Sequence, residues 1–292
     1  MTGPSMESTA EPEFRLYLKP PALTKKEYAV ISSLAREQFG LELGMGKEQL
    51  VSARIGKLMR RLGFARFRDY YQHVESDGTG AALVELTDAL TTNHTSFFRE
   101  PAHFDFLVEQ VFSRWRGPGP MRIWSAACAT GEEPYTIALT AREHLGAEHA
   151  SLPRILATDI STRALDTASK GIYKSDRFQG EPASWLRKHL MRGEGQWEGW
   201  YRMRPEILRM IEFDRINLIE PFPDVGRFEV IFCRNVMIYF SRATQEKLVN
   251  RLSACLKPAG YLFVGHSEGL TGMKHGLEHV QPAIYRKRGG QR

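Results

Sequence analysis

The sequence predicts an α/β protein in which an all-helical domain precedes a doubly wound sheet. Apolar residues between Thr24 and about Leu90 recur at helical spacing. After about Leu107, short apolar runs alternate with helical segments, an order typical of a parallel sheet with crossover helices. The predicted divisions are a disordered N-terminus (1–13), an all-helical domain (14–90), a linker (91–107) and an α/β domain (108–292) with a β insertion at about 185–208.

The helical domain is predicted to begin with a capping box formed by Thr24 and Glu27, and Gly40 is expected to end that first helix. The predicted helices after it are Gln49–Leu62, Phe67–Glu75 and Ala81–Leu90. The second helix carries apolar side chains on one side and basic side chains on another. Its basic residues are Arg54, Lys57, Arg60 and Arg61.

The α/β domain is predicted from apolar runs of strand length that are separated by helical patterns. Strands are expected at Met121–Ser125, Arg154–Thr158, Arg209–Phe213, Glu229–Cys233 and Gly260–Gly265, and helices at Glu133–Leu145, Thr162–Ala168 and Thr244–Leu256. The segment LMRGEGQWEGWYRMRP interrupts this order. Its glycine, tryptophan and arginine content predicts a β-hairpin insertion.

Composition and charge indicate a globular protein that neither spans a membrane nor depends on disulfides. The 292 residues are 42% hydrophobic and 25% charged, as in ordinary globular proteins. The net charge of +6 equals that of segment 47–68, which holds seven basic residues and one acid. Neither a signal peptide nor a membrane span is expected, because no sufficiently long apolar run occurs. The three cysteines show no disulfide framework or metal-ligand spacing, which favours a reducing, cytosolic compartment.

The segment IWSAACATGEEPYTIAL is predicted to run from a strand through a tight loop into a helix, where doubly wound sheets bind nucleotide-like ligands. Helix N-termini normally attract anions, but Glu132 and Glu133 open this helix, so a pyrophosphate would meet two carboxylates. An adenosine ligand with a positively charged tail fits better, which points to S-adenosylmethionine (AdoMet). The alternative is a strand–turn–helix unit without a ligand.

Asp159 follows the second predicted strand. A carboxylate at this place can accept hydrogen bonds from both ribose hydroxyls of an adenosine ligand. The alternative is that Asp159 caps the next helix, although Ser161 is an equally good cap. A nicotinamide dinucleotide is disfavoured because the loop holds one glycine and because 28 residues separate Gly131 from Asp159, against about 20 in dinucleotide folds.

Polar side chains in three further segments are expected at the same site. Asn217 and Leu218 follow the third strand. There the asparagine could hydrogen-bond the edge of an adenine ring while the leucine packs on its face. The apolar run VIFCRNVMIYF carries Arg234 and Asn235 and, four residues later, Tyr239. Between the domains, TTNHTSFFRE is typical of a ligand-capping segment, with a plain linker as the alternative.

These motifs together resemble the CheR family of chemotaxis protein methyltransferases: TTNHTSFFRE, SAACATGEEPYTIAL, ATDIS, INL and IFCRNVMIYF. The resemblance covers essentially the whole chain from about Leu23. It implies a Rossmann-like AdoMet methyltransferase domain that converts specific chemoreceptor glutamates to methyl esters, with S-adenosylhomocysteine as product. By position it implies AdoMet contacts at Asn93, Thr95, Arg99, Glu133, Asp159, Asn217, Leu218, Arg234 and Asn235, and residues beside the transferred methyl group at Arg99 and Tyr239.

The resemblance also implies partners. Chemoreceptor helices bear glutamates, so the basic face of the second helix would steer and align them. Nucleic acid is the competing partner, disfavoured because one short helix without an aromatic platform is a small footprint. Some members of the family bind the receptor's C-terminal peptide on the insertion, where Trp197 and Trp200 would suit an added strand. A monomer without metal or membrane insertion is expected.

Three other functions stay open from the sequence. The chain could methylate another protein or a small carboxylate, or sense AdoMet on receptors without catalysis. A nicotinamide oxidoreductase is the third, and the acidic loop argues against it. In the expected reaction the glutamate nucleophile is already ionised at neutral pH, since its ordinary pKa is about 4.3. No general base is needed, and none of the nine histidines has to be catalytic.

Overall fold

The computed structural model describes residues 23–44, 46–146, 152–178 and 183–289, so the predicted disordered segment, 1–13, lies outside the described residues. Four helices form the N-terminal domain: α1 (Lys25–Phe39), α2 (Glu48–Leu62), α3 (Phe67–Ser76) and α4 (Ala81–Leu90). Their apolar faces share one core, in which Ile31, Ile55 and Leu86 are fully buried. The predicted all-helical domain is confirmed.

Both ends of α1 follow the predicted signals. Thr24 Oγ1 accepts a hydrogen bond from Glu27 N at 3.3 Å, and the Glu27 carboxylate accepts from Thr24 N at 2.7 Å, which confirms the capping box. Gly40 ends the helix with φ +71°, and a Cβ there would lie 2.6 Å from Ile219 Cγ2. Glycine is therefore required both by the left-handed turn and by the close approach of the α/β domain.

The strands of the α/β domain form two sheets. In chain order they are β1 (Arg122–Ala126), β2 (Arg154–Asp159), β3 (Ile172–Lys174), β4 (Leu190–Arg192), β5 (Trp200–Met203), β6 (Ile211–Arg215), β7 (Phe228–Cys233), β8 (Leu256–Val264), β9 (Leu277–Gln281) and β10 (Ile284–Lys287). The large sheet has the order β6-β2-β1-β7-β8-β10-β9. Its order reverses at β1, which pairs in parallel with β2 on one side and β7 on the other, so the carboxyl edge there is a ligand-binding crevice.

The five predicted strands, β1, β2, β6, β7 and β8, run parallel as expected. Strands β9 and β10 are antiparallel additions at one edge and were not predicted. Glu278, His279 and Val280 of β9 are exposed, so this edge strand has little apolar pattern to reveal it.

Helices cover both faces of the large sheet, which confirms the doubly wound class. They are α5 (Ala102–Phe106), which continues as a π-helical segment (Leu107–Phe112), α6 (Glu132–Leu145), α7 (Thr162–Lys170), α8 (Ala183–His189), α9 (Pro205–Leu208) and α10 (Arg242–Cys255). Successive strand residues face opposite sides: Ile123 lies in the core that includes α6, and Trp124 in the core that includes α10.

The second sheet is small and antiparallel, with the order β3-β5-β4. The predicted hairpin is present as β4 paired with β5. The additional strand β3 comes from before the predicted insertion and pairs Tyr173 with Tyr201. The small sheet therefore includes residues that come before the predicted insertion at about 185–208.

The two domains meet at the carboxyl edge of the large sheet. Glu42 N donates to the Tyr239 carbonyl at 2.8 Å, and Thr162 Oγ1 donates to Asp88 Oδ2 at 3.0 Å. Arg163 also donates to the Asp88 carbonyl. These contacts join the segment after α1 to Tyr239, and α4 to the start of α7.

Candidate active site

A cavity of about 210 Å³ lies between the helical domain and the carboxyl edge of the sheet. Every predicted AdoMet-contact residue and both predicted methyl-side residues line it. They are Asn93, Thr95, Arg99, Glu133, Asp159, Asn217, Leu218, Arg234, Asn235 and Tyr239. They come together because the carboxyl ends of parallel strands share one edge of the sheet, and the linker passes over that edge.

The loop between β1 and α6 has an unusual backbone. Ala127, Ala129 and Gly131 all have positive φ, at +82°, +47° and +98°. The amides of Ala127 and Cys128 both donate to the Thr158 carbonyl at 2.8 Å, which ties the loop to β2. A Cβ on Gly131 would lie 2.7 Å from the Tyr173 hydroxyl, so glycine is needed where the helix begins.

Glu133 is the acid that faces the cavity from α6. Its Oε1 accepts a hydrogen bond from Ser125 Oγ at 2.7 Å, and its Oε2 accepts from the Arg234 guanidinium at 3.1 Å. Burial raises the pKa of Glu133, while the nearby Arg234 and Ser125 oppose that shift. The carboxylate is thus held in place but little solvated, which suits recognition of a ligand ammonium group.

Glu132 does not line the cavity, so a pyrophosphate there would meet one of these two carboxylates and not both. Its side chain is buried and pairs with Arg177, and it accepts a hydrogen bond from Thr130 Oγ1 at 2.7 Å. The negative charge at the start of α6 therefore comes to the ligand from Glu133 alone.

Asp159 ends β2 with its side chain 7% exposed. Oδ2 accepts from Ala129 N at 2.8 Å and Oδ1 from Ser161 N at 2.9 Å. Burial raises the pKa of Asp159, against these backbone hydrogen bonds. The cap of α7 is Ser161, whose Oγ accepts from Ala164 N, so the capping alternative for Asp159 is wrong.

The predicted adenine-side pair differs from expectation in one respect. Leu218 is buried against the cavity. The Asn217 side-chain NH₂, in contrast, donates to the Gln38 carbonyl at 2.8 Å and to Glu220 Oε1 at 2.7 Å. Both amide hydrogens are therefore used within the protein, and the side-chain oxygen is the group left to hydrogen-bond a ligand.

Arg234 is the central cation of the site, with its side chain 2% exposed. It pairs with Glu133 and with Glu100, whose Oε2 lies 3.1 Å away, and donates to the Arg99 carbonyl. Asn235 Nδ2 donates to Glu100 Oε1 at 3.2 Å. Glu100 thereby joins the interdomain linker to the end of β7.

Arg99 and Tyr239 line the same cavity from the linker and from the segment after β7. The Arg99 guanidinium donates to the His94 carbonyl at 3.1 Å, which curls the linker. The Lys47 ammonium lies 5.7 Å from the centre of the Tyr239 ring. The cavity lining therefore includes the cations Arg99 and Lys47 as well as the acid Glu42.

The basic residues of α2 do not form one surface. Arg54 lines the cavity and donates to the Leu90 carbonyl at 2.6 Å and to the Thr91 carbonyl, so its guanidinium holds the linker. Lys57 and Arg60 are exposed, and Arg61 lies 3.5 Å from Glu85. The expected docking role for Arg54 is therefore replaced by a structural one.

Sequence reasoning missed three residues of this site. Glu100 was part of the TTNHTSFFRE motif but was given no role, and Lys47 was counted only as charge. Glu268, which binds the loop after β7, had no local signal at all. Glu100 also lies near His103 and His266, with ligand-type atoms within 4.8 Å of one another, but the Arg234 cation at Glu100 opposes a metal ion there.

Comparison with known proteins agrees with this geometry. Residues 93–285 match the model of the CheR methyltransferase SAM-binding domain, and residues 26–91 match that of the CheR methyltransferase all-alpha domain. This chain belongs to the CheR methyltransferase family. The CheR match makes it a methyltransferase of the chemotaxis type, with AdoMet as its cofactor.

Curated relatives are similar in sequence to this chain over most of their length. A chemotaxis protein methyltransferase of Borreliella burgdorferi is 37% identical over 273 residues, 91% of this chain and 95% of the relative. Chemotaxis protein methyltransferase 2 of Pseudomonas aeruginosa is 37% identical over 90% of this chain and 93% of its own. The Escherichia coli K12 chemotaxis protein methyltransferase is 38% identical over 86% of each chain.

Two further expectations can be compared with the structure. Among the helices of the described ranges, none combines the length and apolar character needed to cross a bilayer. The three cysteines carry free thiols, with Cys128 and Cys233 buried.

Proposed function

We propose that this protein transfers the methyl group of AdoMet to specific glutamate side chains on the cytoplasmic helices of chemoreceptors. The products are glutamyl methyl esters and S-adenosylhomocysteine. One observation carries the proposal: a buried Glu133–Arg234 pair and Asp159 line the same cavity as the cationic residues Arg99 and Lys47. Such a cavity provides acids for a cationic cofactor and cations for an acidic substrate.

The residues present fit AdoMet. Glu133 would hold the amino group, because its carboxylate is fixed by Ser125 and Arg234 and faces the cavity. Asp159 would hold the ribose hydroxyls with the acceptor sites that Ala129 and Ser161 leave free. Leu218 would pack on the adenine, and Asn93 and Thr95 would close the site from the linker.

AdoMet supplies an electrophilic methyl group on a sulfonium centre. The protein's contribution would be to align a substrate glutamate oxygen with this methyl group, and such alignment can be worth up to about 7–11 kcal/mol for well-held reactants. Arg99 holds the carboxylate by a charge-assisted hydrogen bond, and Tyr239 orients it. Exclusion of water from this cavity, whose wall includes linker residues and Phe39 of α1, would favour a step in which two opposite charges disappear.

The exposed basic residues of α2 form the proposed docking surface for the receptor helix. Lys57, Arg60 and Arg61 lie on the same helix as Arg54, which reaches the cavity wall. A glutamate-rich helix that docks on them is brought close to the cavity mouth. Complementary charge would raise the association rate more than the final affinity.

The small sheet is the proposed second docking surface, for a receptor C-terminal peptide. Trp197 is 49% exposed and lies edge-on to Trp200, with ring centres 6.2 Å apart. Strand β4 has β5 on one side only, so its other edge is free in the described sheet to pair with an added strand. A cytoplasmic monomer is proposed, since both surfaces belong to one chain.

The test is incorporation of label from methyl-labelled AdoMet into chemoreceptor-containing membranes, followed by mild alkali. Alkali-labile label on receptor-sized proteins is expected, because carboxyl methyl esters hydrolyse readily. Binding of AdoMet without any label transfer would favour the sensing module instead. Alkali-stable label would show methylation of a different group and would contradict the proposal.

A further inference from the structure

Glu268 is a buried carboxylate that lies outside the cavity lining but binds the elements that form it. It follows the end of β8 and is 6% exposed. Its Oε2 accepts from Gly265 N and from Asn235 N, both at 2.7 Å, and its Oε1 accepts from Ile238 N at 3.2 Å. One side chain therefore satisfies backbone donors from the segments after two neighbouring parallel strands.

Glu268 binds a turn that holds one residue in a left-handed conformation. Asn235 has φ +58° and directly follows Arg234. Asparagine tolerates this conformation better than most residues, and a surrounding constraint selects it. The hydrogen bond from Asn235 N to Glu268 provides that constraint, and the bond from Ile238 N fixes the residue before Tyr239.

Gly265 allows this arrangement by its lack of a side chain. A Cβ at Gly265 would lie 2.6 Å from Asn235 Nδ2 and 2.6 Å from Glu268 Oε2. Both atoms would have to move, because such contacts are far inside van der Waals distance. Gly265 and Glu268 together therefore fix the position of the Asn235 side chain.

We propose that Glu268 is a positioning residue for methyl transfer: it holds Asn235 against the cofactor and Tyr239 beside the substrate carboxylate. Glu268 itself contacts neither group, and the proposal rests on the function proposed above. Burial raises the pKa of Glu268, while hydrogen bonds from the backbone oppose that shift, which agrees with a carboxylate enclosed by peptide donors.

The matched pair of variants is Glu268→Gln and Glu229→Gln. Glu229 lies near the amino end of β7, remote from the cavity, and its carboxylate also accepts from a backbone amide, Arg122 N at 2.8 Å. Glu229 is less buried than Glu268 and also pairs with Lys257. Both substitutions neutralise a carboxylate that binds a backbone amide, so Glu229→Gln reports the effect of such a change away from the cavity.

For Glu268→Gln, the dissociation constant of S-adenosylhomocysteine in calorimetry should rise about tenfold or more, and kcat for receptor methylation should fall as well. For Glu229→Gln, both quantities should stay within about twofold of the wild type. If the two variants lose cofactor affinity equally, or if Glu268→Gln loses none, Glu268 is not a positioning residue.

Gly265→Ala provides a second approach if Glu268→Gln does not fold. It keeps every charge but displaces Asn235 and Glu268, so it should also weaken S-adenosylhomocysteine binding about tenfold. Normal affinity in Gly265→Ala would overturn the proposal. Cofactor affinity is measured without a receptor. A wild-type protein that binds S-adenosylhomocysteine but does not methylate receptors would therefore contradict only the proposed function.

Discussion

The Arg234 guanidinium lies 3.1 Å from the Glu133 carboxylate, and both side chains are almost wholly buried. The pair joins the end of β7 to the start of α6 across the point where the sheet order reverses. Arg234 compensates the buried carboxylate of Glu133 but does not remove its capacity to accept another hydrogen bond. The cofactor site is therefore assembled around an ion pair that exists before any ligand binds.

Glu133→Gln should weaken AdoMet binding about 10- to 100-fold, because a hydrogen bond to a charged group contributes about 1.5–3 kcal/mol. The control is Glu143→Gln on the same helix, where the carboxylate pairs with Lys188 and His189 away from the cavity. Calorimetric titration with AdoMet distinguishes the two. Equal losses would mean that Glu133 acts on helix stability and not on the ligand.

Cofactor affinity should decrease on acidification. The pKa values of Glu133 and Asp159 are raised by burial, and a cationic ligand binds their ionised forms. Affinity is thus highest at high pH and is lost as pH falls through the raised pKa values of these two groups. Dissociation constants measured from pH 8 down to pH 4 test this. An affinity that stays constant over the whole range would contradict it.

Arg99→Ala should lower kcat for receptor methylation about 10- to 100-fold, which corresponds to loss of one charge-assisted hydrogen bond to the substrate carboxylate. Tyr239→Phe should give a smaller loss, since it removes a neutral hydroxyl. AdoMet binding should be nearly retained in Tyr239→Phe. Full turnover of Arg99→Ala with normal AdoMet binding would remove Arg99 from the proposed mechanism.

Charge reversal on α2 tests the docking surface. Lys57→Glu with Arg60→Glu should reduce kcat/KM for receptor about tenfold or more at low salt, and the difference should shrink as salt screens the charges. Lys25→Glu with Lys26→Glu makes the same charge change at exposed positions of α1 and should have a much smaller effect. A receptor interaction unchanged by the α2 reversal would exclude steering by this face.

Gly40→Ala should destabilise the protein more than Gly63→Ala. Both glycines end helices at positive φ, which costs an alanine about 1–2 kcal/mol. Only at Gly40 would the new Cβ meet another domain, at 2.6 Å from Ile219, which adds about 1–3 kcal/mol. Urea unfolding of both variants measures the difference. Equal free energies of unfolding would show that the interface adapts to the methyl group.

Much of the site could be predicted because its residues occupy fixed places along the chain. Asp159 and Arg234 each follow an apolar strand, and Glu133 opens the helix after β1. Parallel strands bring such positions to one edge of the sheet whatever the side-chain details. The edge strand β9 is not predicted because its residues are mostly exposed and carry a weak apolar pattern, and β10, which lies between β8 and β9, has only four residues.

The sequence by itself determined the helical domain, the parallel sheet and the set of residues at the carboxyl edge, because hydrophobic period and capping act over a few neighbouring residues. Only the tertiary structure decided the partner of each polar group. Glu132 pairs with Arg177, the Asn217 amide binds Gln38, and Arg54 holds the linker. These choices depend on side-chain orientation and on packing between segments distant in the chain, so no local pattern specifies them.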